Sequence, residues 1–268
     1  MSVPTAMSGT VWVALLQLRC DGSEPVAERV GRALAWTREV AADADLVVLP
    51  ELWHVGAFDI EAARKHAEPL DGPLVSALAE VARSTRTWIH GGSFAEVTPE
   101  GSYFNTAVLF TPDGTVAATY RKMHLFGFTG GETTLMSGGS DLVTVETPLG
   151  DTALTTCYDL RFPEMYRALV SRGATSTLIT SGWPSRRISH WSTLARARAI
   201  ENQMLVAACN QVGTHADTVL GGHSVIVNAL GDVLAEGGAD EQVVVADVDL
   251  AVTPRWREQF PVLGDRVL

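Results

Sequence analysis

Short apolar blocks alternate with helix-like patterns along the whole chain, and this rhythm limits the possible folds more than any other feature. VWVALLQL (11–18) reads as a buried strand, and DLVVLP (45–50) as a short strand that Pro50 stops. Between them, residues 24–41 set Val26, Val30, Ala33, Leu34 and Val40 near one face of a helix. The same reasoning predicts helices at 74–83, 163–172 and 188–202, with Pro163 in a first turn where its missing N–H costs nothing. Strands are predicted at 87–94, 104–110, 115–120, 142–147, 151–157, 176–180 and 204–210, then in a β-rich close at 223–228, 232–237 and 242–250. PDG (112–114) marks a tight turn between two of them. Strands alternating with helices imply layered α/β architecture. No Gly/Ser linker or charge block interrupts it, so a single domain is expected over 11–268, after a flexible segment at 1–10.

Composition narrows the partners. Of 268 residues, 46% are hydrophobic and 19% charged, enough apolar material for a large core. Twenty basic against 31 acidic residues leave a net charge of −11. That balance argues against nucleic acid and against an anionic membrane surface, since neither phosphate array finds a basic excess. No apolar stretch is long enough to span a bilayer, and the N-terminus lacks a secretory pattern, so a cytoplasmic protein is expected. Three cysteines without a CxxC pair fit reduced thiols rather than a zinc site. The seven histidines show no ligand spacing such as HExxH, so neither metal nor organic cofactor is expected.

Three segments can carry chemistry. LPELW places Glu51 after a buried strand, YRKMHLF places Lys122 after another, and TTCYDLRFPE places Cys157 between a strand and a helix. Taken singly, each has an ordinary structural role: a cap, a surface charge, a packed thiol. Together they suit acyl transfer. A thiol nucleophile needs a base, which a partly buried Glu supplies, and the tetrahedral intermediate needs a cation or N–H donors, one of which Lys supplies.

These motifs, in this order, resemble the nitrilase superfamily of carbon–nitrogen hydrolases, and the resemblance covers roughly residues 11–263. It implies an αββα sandwich that pairs into a homodimer or higher homo-oligomer, αββααββα. It implies Cys157 as nucleophile, Glu51 as general base, Lys122 as oxyanion stabiliser and the Tyr158 backbone N–H as second oxyanion donor. Glu132, in GGETTLMSGG, matches a further glutamate of the family that positions substrate or assists proton transfer. Asp159, Arg161 and Glu164 are expected to form an ion-paired scaffold around the nucleophile.

Within the superfamily, RKMHLF, SGWPSRRISHWSTLARARAIENQ and GGHSVIVNALGDVLAE resemble the ω-amidase branch. That branch hydrolyses the terminal amide of short dicarboxylate monoamides such as 2-oxoglutaramate and 2-oxosuccinamate. Such a substrate carries a free carboxylate, for which Arg187 is the expected cation, with Phe126 and Trp183 as pocket walls. Helix 188–202 is a candidate subunit interface, and Trp256 and Phe260 pack either across it or onto their own domain. Three alternatives stay open: another amidase of the superfamily, acting on deaminated glutathione or an N-carbamoyl amine, an acyltransferase, and a non-catalytic binding relative.

Overall fold

A computed structural model of the protein describes residues 9–127 and 130–267. The expected flexible segment 1–10 falls mostly outside the described residues, but Thr10 is already paired with Asp249 in a strand.

The first half of the chain builds one sheet and the second half another. β1 (Thr10–Gln17), β2 (Leu46–Val48) and β3 (Trp88–Val97) run parallel, joined by α1 (Val26–Ala41) and by α2 (Ile60–Lys65) with α3 (Pro73–Thr85). β4 (Tyr103–Phe110) and β5 (Val116–Arg121) extend this sheet antiparallel. The second sheet repeats the plan. β6 (Thr144–Thr147) pairs antiparallel with β7 (Gly150–Thr156), which runs parallel to β8 (Ser176–Thr180) and β9 (Leu205–Cys209). α4 (Pro163–Ser171) and α5 (Ile188–Asn202) make the crossovers. β10 (Val212–His215) and β11 (Thr218–Gly221) form a separate hairpin; β12 (Val225–Val227) and β13 (Val233–Glu236) complete the second sheet. β14 (Gln242–Asp249) returns to the first sheet beside β1, and α6 (Val252–Gln259) follows.

Strand alternation sorts the layers. Val13 and Leu15 of β1 and Leu46 and Val48 of β2 join a core shared with Leu154, Leu178, Ala207 and Ile226 of the other sheet. Ala14, Leu16 and Val47, one residue out of phase, pack instead with Ala33 of α1 and Leu74, Leu78 and Ala82 of α3. Each parallel strand is therefore buried on both faces and reads as an unbroken apolar run. The result is the expected αββα sandwich. The predicted strands and long helices form, within a few residues at their ends. The sequence reading passed over α2, the β10–β11 hairpin and α6. α2 spans six residues, too few for a helical period, and the hairpin turn is made by Ala216 and Asp217, both at positive φ, rather than by glycine.

Part of the α5 face named as a candidate interface packs within the chain. Trp191 and Ala195 are fully buried in the shared core, and Trp191 Nε1 donates to the His223 carbonyl at 2.6 Å. Trp256 lies beside Phe260, ring centroids 5.2 Å apart, and Phe260 is exposed.

Candidate active site

The carboxyl ends of the parallel strands of both sheets converge on one buried cluster. Glu51 follows β2, Lys122 follows β5 and Cys157 follows β7. A side chain at a strand end leaves the sheet where a crossover loop opens space, the usual place for a ligand in such sheets.

Lys122 occupies the centre. Its Nζ donates to Glu51 Oε1 and to Glu132 Oε2, both at 2.7 Å, and it is 1% exposed. Asn105, on β4, donates from Nδ2 to the same two carboxylates, at 2.9 Å to Glu51 Oε1 and 2.6 Å to Glu132 Oε1. Glu51 Oε2 accepts the Gly182 N–H at 2.9 Å, and Glu132 Oε2 accepts the Phe126 N–H at 2.7 Å. All four carboxylate oxygens are therefore held. Burial disfavours the Lys122 ammonium, but Glu132 and Glu51 outweigh it and lift its pKa above the ordinary lysine value. Burial likewise raises Glu132, with Lys122 opposing. The ammonium is fixed in the charged state.

Cys157 opens a 3₁₀ turn (Cys157–Arg161) with φ of +45°, a strained value for a residue other than glycine. The strain is held from behind. Asp159 Oδ2 accepts the Thr156 N–H at 2.9 Å and the Tyr120 hydroxyl at 2.6 Å, while Oδ1 accepts the His124 N–H at 3.1 Å and lies 2.7 Å from His124 Nδ1. The Tyr158 N–H stands in the first turn, where no intrahelical acceptor exists. Burial, with the Glu51 charge, pushes the Cys157 thiol well up, while Lys122 and the Ser181 hydroxyl act the other way. Cys157 therefore rests as a thiol, and a thiol needs a base before it can act as a nucleophile.

A cleft of about 20 Å³ opens onto Cys157, lined by Phe58, Phe126, Tyr158, Arg161, Trp183, Pro184 and Arg187. It is narrow, with room at this level for about one water-sized group. Phe126 packs edge-on to Tyr158 and Phe58, at 5.3 and 5.9 Å between centroids. Trp183 forms the opposite wall, its N–H bonded to Asn210 Oδ1 at 2.6 Å and its Nε1 donating to the Arg187 carbonyl at 2.8 Å. The Arg187 guanidinium lies 5.5 Å over Phe126, and burial with the neighbouring Arg186 and Arg161 charges lowers its pKa.

The structure thus brings Glu51, Lys122, Glu132 and Cys157 into one cluster and places Tyr158, Phe126, Trp183 and Arg187 around its opening. It corrects the reading of Arg161. Instead of pairing with Glu164 or Asp159, its guanidinium stacks 4.6 Å over the Trp183 ring, 3.3 Å from His190 Nδ1, and lines the cleft. Asp159 alone carries the scaffold role. Asn105 was missed; its one signal is a polar side chain in the otherwise apolar FNTAVLF. Phe58 lies in a segment with no periodicity to mark it. Among the described residues no cluster of three or more His, Cys, Asp or Glu could hold a metal ion, and no helix is long and apolar enough to cross a membrane.

The carbon-nitrogen hydrolase family profile matches residues 12–258. The chain is 42% identical over 265 residues to a 2-oxoglutaramate amidase of Paenarthrobacter nicotinovorans, covering 96% of this chain and 90% of that one. It is 34% identical to the omega-amidase NIT2 of Homo sapiens, covering 95% and 94% of the two chains. A CN-hydrolase superfamily protein from Xanthomonas campestris, whose crystal structure carries an arsenic adduct in the active site, superposes with a TM-score of 0.89 at 33% identity, covering 97% and 98%. With sheet order, profile and relatives in agreement, this chain belongs to the carbon-nitrogen hydrolase family.

Proposed function

We propose that the protein is an ω-amidase-like amidohydrolase that releases ammonia from the terminal amide of a short dicarboxylate monoamide such as 2-oxoglutaramate. The carrying observation is the pairing of a buried Glu51–Lys122–Cys157 cluster with two guanidiniums, Arg161 and Arg187, that line the cleft opening onto Cys157. Relatives named as 2-oxoglutaramate amidases and omega-amidases support the substrate class.

The chemistry follows from the geometry. Glu51 takes the thiol proton as Cys157 Sγ attacks the amide carbon. The carbonyl oxygen becomes an oxyanion, held by the Lys122 ammonium and the Tyr158 N–H. The C–N bond breaks, the proton on Glu51 passes to the leaving nitrogen, and ammonia departs from a thioester. Glu51 then deprotonates a water that attacks the thioester; the carboxylic acid leaves and Sγ regains its proton. Glu132 fixes the Lys122 ammonium and, through Phe126 N–H, the loop above the cleft. The substrate's far carboxylate is received by Arg161 and Arg187, whose mutual repulsion an anion relieves.

Two further assignments rest on this reading. All three cysteines are unpaired and buried, which supports a reducing cytoplasmic setting. A homodimer, expected from the resemblance, would draw on exposed apolar side chains such as Ile200, Leu230 and Phe260 rather than on the inward face of α5.

Ammonia release from 2-oxoglutaramate, succinamate, deaminated glutathione and N-carbamoylputrescine tests the proposal, with Cys157→Ala beside the wild type. The expected result is turnover of the two short monoamides that falls by at least about 10⁴-fold in the variant. Preference for deaminated glutathione or the carbamoyl amine overturns the substrate, and full activity in the variant overturns the mechanism.

A further inference from the structure

Ser181 follows β8, one position beyond Thr180. Thr180 is the parallel partner of Thr156, so Ser181 and Cys157 are the next pair along the β7–β8 ladder. Neighbouring strands lie about 4.8 Å apart, which puts the serine directly beside the cysteine where both strands end. The Ser181 peptide also meets Glu51 twice. Its carbonyl accepts the Glu51 N–H at 3.4 Å, and the N–H that follows, of Gly182, donates to Glu51 Oε2 at 2.9 Å. Ser181 is thus tied to the base and adjacent to the sulfur.

The Ser181 side chain is fully buried, and no nitrogen or oxygen among the described residues pairs with its Oγ. The group it faces is the Cys157 sulfur, whose ionisation it favours against burial and the Glu51 charge. A thiol is a weak acceptor, whereas a charged acceptor makes a short, strong hydrogen bond. A hydroxyl kept dry beside a thiol therefore gives most of its hydrogen-bond energy only when the sulfur ionises. An interaction that strengthens after the ground state lowers the barrier instead of tightening binding.

We propose that the Ser181 hydroxyl donates to Cys157 Sγ as Glu51 removes the thiol proton, which makes Ser181 a further catalytic residue. The S–H proton goes to Glu51, and the Ser181 O–H bond stays intact throughout. The same hydrogen bond serves again when the thioester breaks and the sulfur leaves with its electron pair. The inference rests on the amidohydrolase reading for the base and the reaction, but the ionisation of Cys157 is measurable without any amide.

Iodoacetamide alkylation of Cys157 in the full chain, followed by peptide mass at several mildly alkaline pH values, tests this in wild type and Ser181→Ala, beside urea unfolding and turnover of 2-oxoglutaramate. Alkylation is expected to be about tenfold slower in the variant at each pH. The kcat should fall by a similar factor, with KM within about twofold. The urea midpoint should be no lower than in the wild type, because the deleted hydroxyl has no nitrogen or oxygen partner at rest. Alkylation within about twofold of the wild-type rate overturns the proposal. So does slower alkylation together with a lowered urea midpoint, the mark of a purely structural hydroxyl. If no amide is turned over while alkylation still slows about tenfold, the amidase reading fails and the role of Ser181 at the sulfur stands.

Discussion

The floor and the mouth of the Cys157 cleft solve the charge problem in opposite ways. On the floor, one ammonium sits between two carboxylates, Asn105 bridges the pair, and every carboxylate oxygen has a donor. At the mouth, Arg161 and Arg187 rest against the Trp183 and Phe126 rings with no carboxylate partner among the described residues. The floor is complete before substrate arrives, as electrostatic stabilisation of a transition state requires. The mouth is complete only with an anion in it, as recognition requires. Floor residues should therefore govern kcat and stability, and mouth residues KM.

The largest break in that contrast comes from Lys122→Met. It removes the proposed oxyanion donor and leaves two buried carboxylates facing each other. We expect kcat to fall by about 10²–10³-fold and stability by about 3–5 kcal/mol, measured by ammonia release and urea unfolding. Unchanged stability would show the floor charges to be better solvated than their burial implies. Glu132→Gln keeps the shape but loosens the grip on Lys122. A kcat loss of about 10–100-fold with KM little changed is expected, and a KM effect alone would move Glu132 to the mouth.

The contrast sharpens with pH. The Lys122 pKa is raised above the usual 10.5, so in the folded chain the amine keeps its proton where the unfolded chain loses it. Its contribution to stability is whole below pH 10.5 and is lost as pH climbs past that value towards the folded pKa. The alkaline decline in urea midpoint should be shallower in Lys122→Met than in the wild type. The smallest effect is at the mouth: Arg161→Gln should raise KM for 2-oxoglutaramate about tenfold with kcat within about twofold. An equal loss for acetamide, which has no carboxylate, would refute anion recognition there.

Much of this was legible in the sequence because the strands are buried on both faces. A strand such as Leu46–Val48 cannot hide its apolar run, and a polar residue just beyond it, Glu51, stands out. Cys157 and Lys122 stand out on the same principle, whereas Glu132 was matched through the family resemblance alone. Two kinds of residue escaped. Asn105 lies inside a strand, where one polar side chain looks like an ordinary sheet position until its two carboxylate partners are seen. Arg161 sits beside Asp159 and near Glu164 in the chain, and sequence proximity suggested an ion pair; the turn at Cys157 sends its guanidinium to Trp183 instead. The α5 stripe is hard to read for a related reason. An apolar stripe announces burial without naming its partner, and here the partner is the chain's own sheet.

The proposed catalytic cluster straddles the two sheets. Lys122 and Glu132 come from the first half of the chain and Cys157 from the second, while Glu51 is tied across: its N–H reaches the Ser181 carbonyl at 3.4 Å, its carboxylate takes the Gly182 N–H at 2.9 Å, and the Gln211 side chain donates to its carbonyl. Gly182 is pinned there by space as well, since a Cβ would come within 2.4 Å of Ala57 Cβ. The reaction thereby senses how the halves are docked. In mild denaturant, slippage of one sheet over the other should silence turnover while circular dichroism still reports helices and strands, and a chain cut between the sheets should work only if both pieces reassemble.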